Sequence, residues 1–154
     1  MSGLVDFITR NPDQWAKVKA NPSLATTAAT ETIRLQTPIC HMRRTAVANF
    51  ELNGQQIKKG DKVVLWYNSG NRDEAVFPDA DVWDVNRENS RRHLSFGYGI
   101  HRCLGARLAE LQLQTLIEEM AKRNMEVTFA GEPERIPSCF THGFHKLMVT
   151  VSKG

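Results

Sequence analysis

Apolar residues in the first third of the chain recur at helical spacing. Met1 to Arg10 reads as a helix that begins without a capping residue. Asn11-Pro12-Asp13-Gln14 then supplies a cap residue, a proline at the first helical position and a glutamine at the capping-box position, ahead of Trp15 and Val18. Asn21-Pro22-Ser23 restarts the pattern, Leu24 to Gln36 continues it, and Pro38 ends it. Alternation takes over from Val47 to Leu52, Asn53-Gly54 predicts a hairpin turn, and Gln55 to Ile57 pairs back. The continuous apolar run Val63 to Tyr67 predicts a buried strand. From about Asn68 to Gly105 no long periodic element is expected, and so long an irregular stretch in a compact domain points to function. A helix follows, with Leu104, Leu108, Leu111, Leu113, Leu116 and Met120 on a broad apolar face. The tail alternates, predicting strands over Met125 to Phe129 and Leu147 to Val151 with a proline-punctuated turn region between.

Length and composition narrow the classes. The chain has 154 residues, room for one domain or part of a larger one. Its 41% hydrophobic and 24% charged residues are ordinary globular usage, which excludes disorder or collagen as a whole-chain reading. The run Val63 to Tyr67 is the longest unbroken apolar stretch, far short of the roughly 20 residues a membrane span needs, so no span is expected. The first residues lack the pattern of a secretory signal. A net charge of +3 is too small to argue for nucleic acid. Cys40, Cys103 and Cys139 are odd in number and widely spaced, so a disulfide framework or a zinc knuckle is not expected and a reducing, cytoplasmic setting fits better.

The chemistry concentrates in Phe96-Gly97-Tyr98-Gly99-Ile100-His101-Arg102-Cys103-Leu104-Gly105. Two glycines allow positive φ and close approach of the backbone to a ligand. Cys103 is expected where the loop meets the following helix, beside the cations His101 and Arg102, a setting that favours thiolate. Three readings compete: a buried cysteine at a helix start, a nucleophile with His101 as base, and an axial thiolate ligand to a flat cofactor. The flanking glycines and cations argue against the first, and two residues so near in sequence seldom orient a nucleophile and its base. The third also employs the cations, because the carboxylates of such a cofactor attract Arg and His donors.

Phe96 to Gly105 resembles the haem-binding signature of the cytochrome P450 family, Phe-Gly-x-Gly-x-His-x-Cys-x-Gly, at every defining position. Glu31-Thr32-Ile33-Arg34 is similar to that family's Glu-x-x-Arg helix, and its spacing puts both charges on one helix face. The wording Arg91-Arg92-His93-Leu94-Ser95-Phe96 looks like the soluble bacterial branch that oxidises terpenes and sterol side chains. The resemblance implies an α+β, mainly helical fold: the carboxy-terminal part of the cytochrome P450 fold, with helices over 1–36, strands over 45–67 forming a small antiparallel sheet, a meander over 68–95, the haem-binding loop over 96–105, a long helix over 104–123 and terminal strands over 125–152. It implies haem b held by the thiolate of Cys103, with His101, His93 and Arg44 toward the propionates and Phe96, Gly97 and Gly105 packed around the loop. Glu31 and Arg34 would form a buried structural pair. Ile39, Met42, Phe140 and Thr141 would line the substrate side. The implied activity is insertion of oxygen into an apolar small molecule, terpene- or sterol-like. Electrons would come ultimately from NAD(P)H through a ferredoxin-like or flavodoxin-like donor, which Arg102 and Arg107 could attract.

Two departures from the family pattern stand out. Ala80-Asp81-Val82-Trp83 has Val82 where the family often carries an arginine, so a third partner for the Glu–Arg pair is absent or comes from elsewhere, with Arg87 and Arg72 as candidates. Met1 to Arg10 resembles only the tail of the helix that crosses the distal haem face, and the acid–alcohol pair that delivers protons there is not in this chain. No catalytic residue is therefore expected within it. The alternative readings are a truncated, non-catalytic haem-binding remnant, or a structural fragment that lacks the oxygen-activating helix. Either would expose apolar surface.

Overall fold

The computed structural model describes residues 1–154. Helices α1 (Ser2–Arg10), α2 (Pro12–Ala20) and α3 (Ala25–Gln36) come first. Pro12 sits at the start of α2, where its missing N–H costs nothing. The predicted capping box does not form. Asn11 donates its side-chain amide to Phe7 O at 2.8 Å, and Gln14 Oε1 accepts from the Val85 N–H instead. A tertiary contact has claimed the glutamine. α3 ends at Thr37, whose left-handed backbone (φ 38°) and hydroxyl bond to Arg34 O close the helix just before Pro38.

The expected small antiparallel sheet is two separate two-stranded antiparallel ladders, and the terminal strands form two more. β1 (His41–Thr45) pairs with β4 (Lys62–Trp66), and β2 (Phe50–Leu52) pairs with β3 (Gln55–Ile57) across the Asn53-Gly54 turn. Strand structure thus begins at His41, ahead of the expected start at 45, and skips Val47 to Asn49. The apolar run in β4 is a strand but not a buried one: Val64, Leu65 and Trp66 are exposed, and only Tyr67, already in the short helix α4 (Tyr67–Gly70), is buried. A two-stranded ladder has few neighbours to cover its faces. Turns and short 3-10 segments carry the chain from Asn71 to Gly105, leading to α5 (Ala106–Lys122). β5 (Met125–Phe129) pairs with the terminal strand β8 (Val149–Lys153), and β6 (Glu134–Arg135) pairs with β7 (Phe144–Lys146).

One core joins the helices. Leu4 and Ile8 of α1, Trp15 and Val18 of α2, and Ile33 of α3 meet Leu113 and Ile117 of α5. The Trp15 indole N–H donates to Met125 O at 2.9 Å, and the Trp83 indole N–H to the Thr32 hydroxyl at 3.1 Å, so both large rings enter the core with their polar atoms satisfied. The apolar face expected on α5 is only partly used. Leu113, Ile117 and Met120 are buried, whereas Leu104, Leu108 and Leu111 are exposed. No helix is long and apolar enough to cross a membrane.

Candidate functional site

Glu31 and Arg34 lie on one face of α3, fully buried. Arg34 Nε donates to Glu31 Oε2 at 2.7 Å and Nη2 to Oε1 at 2.8 Å, a bidentate pair. The third partner is Arg87, whose Nε donates to Glu31 Oε1 at 2.9 Å. Arg72, the other candidate, turns away to Asp81 and to Leu35 O. Two guanidinium groups against one carboxylate leave a buried positive charge, and backbone carbonyls disperse it. Arg34 donates to Asn71 O at 2.5 Å, and Arg87 to Pro78 O and Asp79 O at 2.5 and 2.9 Å. No member of the cluster is left unsatisfied, which removes the local instability that a missing partner would bring.

This cluster abuts the segment that leads into the cysteine loop. Asn71, fully buried, accepts from the Leu94 N–H at 2.6 Å and donates to the Ser95 hydroxyl at 2.8 Å. Gly97 and Gly99 then take φ of +69° and +73°, the left-handed region open to glycine at little cost. A Cβ on Gly97 would lie 3.2 Å from the Tyr67 hydroxyl, so the residue type is also set by close approach. The Cys103 N–H donates back to Phe96 O at 2.9 Å and closes the loop. α5 begins at Ala106 with Gly105 as its cap, so Cys103 precedes the helix rather than sitting at its first turn. Its side chain is exposed.

Cys103 faces an open cavity of about 570 Å³, within the roughly 300–1,000 Å³ range of small-molecule and cofactor sites. The cavity wall brings together Ile39, Met42, Arg44, Phe96, Gly97, His101 and Cys103 from the expected set, and adds Pro38, Tyr67 and Ser95. Four of the expected residues are not in the wall. Gly105 stands behind Cys103, where a Cβ would meet Sγ at 3.9 Å. Thr141 is bridged to Ile39 and Phe140 O accepts from the Cys40 N–H, so this loop backs the wall without forming it. His93 also lies outside the wall. It is buried, with its ring edge on Phe96 and its Nδ1 accepting from the Ser95 N–H at 3.2 Å. Burial, reinforced by Arg102, Arg34 and Arg91, pushes its pKa down to about 4, so the ring is neutral here.

The donor set tests which cofactor fits. No group of three or more His, Cys, Asp or Glu side chains could hold a metal ion, and the cavity presents a single thiol. A metal here must bring most of its own ligands. The donors Arg44 and His101 suit a group that also carries carboxylates, and the apolar remainder suits a flat hydrophobic body. Haem meets all three conditions. Tyr67 and Ser95 were not foreseen. The tyrosine closes an apolar run that reads as strand, and nothing local to Ser95 marks it as facing a cavity.

Comparison with known proteins agrees with this geometry. A family profile described as Cytochrome P450 matches residues 10–139. The chain belongs to the cytochrome P450 family. Among curated relatives it is similar to the linalool 8-monooxygenase of Pseudomonas putida, 45% identical over 98% of this chain and 37% of the relative, and to cytochrome P450-terp of a Pseudomonas species, 37% identical over 98% of this chain and 35% of the relative. Among solved structures, cytochrome P450-153 from Novosphingobium aromaticivorans superposes with a TM-score of 0.94 at 56% identity, over 99% of this chain and 38% of that one. The chain therefore spans about a third of the length of the relatives it matches.

Proposed function

We propose that this chain forms the cysteine-ligand part of a haem-thiolate monooxygenase, in which the Cys103 thiolate would hold the iron. The observation that carries the reading is the exposed Cys103 thiol sharing one largely apolar cavity with Arg44 and His101. When bound, haem supplies the iron at which dioxygen is activated for insertion of one oxygen atom, and thiolate donation favours O–O cleavage. The chain's own residues hold and shield the group. Arg44 and His101 donate to its carboxylates. Gly97 lets backbone approach its face. Ile39, Met42 and Phe96 keep water from the apolar side, with Phe140 and Thr141 behind them. The substrate is an apolar small molecule, and similarity to a linalool monooxygenase favours a terpene over a sterol. Electrons arrive from NAD(P)H through a ferredoxin-like or flavodoxin-like protein, an acidic partner for the exposed Arg102 and Arg107. The setting is cytoplasmic and the haem is of the b type.

The test is the absorbance of the purified chain with added haem, reduced, under carbon monoxide. A strongly red-shifted Soret band of the thiolate type is expected, and Cys103→Ser should abolish it. A free-haem or histidine-type band in the parent chain overturns the assignment. Oxygen-dependent conversion of an added monoterpene alcohol then separates a monooxygenase from a chain that holds haem without turnover.

A further inference from the structure

Asn71 has a place in this molecule that neither the ion-pair cluster nor the cavity explains. It is fully buried in a turn, just after α4. Its side chain and backbone tie this turn to two distant segments. Toward α3, its carbonyl accepts from Arg34 Nη1 at 2.5 Å, and its Nδ2 reaches Arg34 O at 3.2 Å and the Thr37 hydroxyl at 2.8 Å. Toward the cysteine loop, Oδ1 accepts from the Leu94 N–H at 2.6 Å and Nδ2 donates to Ser95 Oγ at 2.8 Å. Ser95 Oγ in turn donates to Ile33 O at 2.7 Å. The next residue, Phe96, carries the carbonyl that receives the Cys103 N–H. The turn touches the loop a second time through Tyr67, whose hydroxyl packs on Gly97 and whose carbonyl accepts from the Asn71 N–H at 2.8 Å.

We propose that Asn71 is a positioning residue that fixes the start of the cysteine loop against the Glu31–Arg34 helix and thereby sets where Cys103 stands in the cavity. No other residue type supplies an acceptor for one amide and a donor for two hydroxyls from a side chain this short; aspartate keeps the acceptor but has no N–H to give. The effect on iron ligation rests on the reading of Cys103 given above. The mechanical coupling does not.

The two are separated by measuring both. In the full chain without haem, amide hydrogen exchange at Leu94 and Cys103 should quicken by about tenfold or more in Asn71→Ala, the factor implied by losing one buried hydrogen bond without replacement. Amides of β5 should exchange as in the parent. Asn71→Asp, which retains the acceptor for the Leu94 N–H, should protect Leu94 better than Asn71→Ala does. Ser95→Ala removes a single hydroxyl and carries the test alone if Asn71→Ala does not fold; Cys103 should again lose protection. With haem and carbon monoxide, the thiolate-type band of the parent should give way partly to a less shifted band in the same variants. Unchanged protection at Cys103 in a folded variant, or an equal rise at β5, overturns the coupling. A parent chain without the thiolate band overturns the reading of Cys103, while exchange still decides the role of Asn71.

Discussion

Two regions meet at Ser95 and differ in almost everything else. The buried cluster around Glu31 is closed. Its carboxylate has two guanidinium partners, and the spare donors end on backbone carbonyls. The cavity wall is open. Cys103 and His101 are exposed, and the only side-chain hydrogen bond of Arg44 goes to the carbonyl of its neighbour Arg43. The first region is complete with the atoms of this chain; the second has donors and a thiol to offer. Scaffold and ligand site are thus distinguishable by whether their polar groups are already paired, and Ser95, which belongs to both, is where they meet.

The sharpest way to break the comparison is to open the closed region. Glu31→Ala leaves two buried guanidinium groups without a carboxylate. Stranding a buried charge typically costs about 3–5 kcal/mol, a large share of the roughly 5–15 kcal/mol that holds a domain together. Urea denaturation should show the midpoint falling steeply or the transition lost. A loss below about 1 kcal/mol would mean that the backbone carbonyls alone satisfy Arg34 and Arg87, and that the carboxylate is dispensable.

Acid probes the boundary between the two regions. His93 takes up its proton near 6.5 when unfolded and at about 4 when folded. Between those values the unfolded chain binds more protons, so stability falls as pH falls. The contribution is fully present above 6.5 and is lost by about 4, in total roughly 3 kcal/mol. His142, also lowered chiefly by burial, acts in the same direction, so the informative measurement is the difference between the parent and His93→Phe. The variant should show a shallower decline of the unfolding midpoint through this window. Equal slopes would mean that His93 is not held neutral by its surroundings.

What could be read from the sequence follows from how local each feature is. The cysteine loop is ten consecutive residues, so its glycines, histidine and thiol are legible together. The Glu31–Arg34 pair is legible because helical spacing alone brings it together. Arg87 could be named only as a candidate, since its reach to Glu31 depends on how the meander folds back. Asn71 gave no signal: its partners lie at 34, 37, 94 and 95, and nothing about an asparagine in a turn says that it will be fully buried. The burial of His93 was hidden for a related reason. The family resemblance places it toward a propionate, and only the packing of Phe96 against it shows that the ring is interior. The run in β4 and the face of α5 failed differently: an apolar pattern specifies the element but not which part of it finds cover.

That last distinction supplies the smallest expected effects, both on α5. Ile117 is fully buried, and Ile117→Val should cost about 0.5–1.5 kcal/mol through lost packing. Leu108 and Leu111 sit on the same helix at 60% and 58% exposure, so Leu108→Gln and Leu111→Gln should each change stability by no more than about 0.5 kcal/mol. Their influence should fall instead on solution behaviour. Leu104, Leu108 and Leu111 are all exposed, and exposed apolar surface promotes association. Sedimentation of the doubly substituted chain, Leu108→Gln with Leu111→Gln, should show less self-association than the parent at an unchanged unfolding midpoint. A drop in the midpoint comparable to that of Ile117→Val would instead place these leucines in the packed interior in solution, and the division of α5 into a used and an unused face would fail.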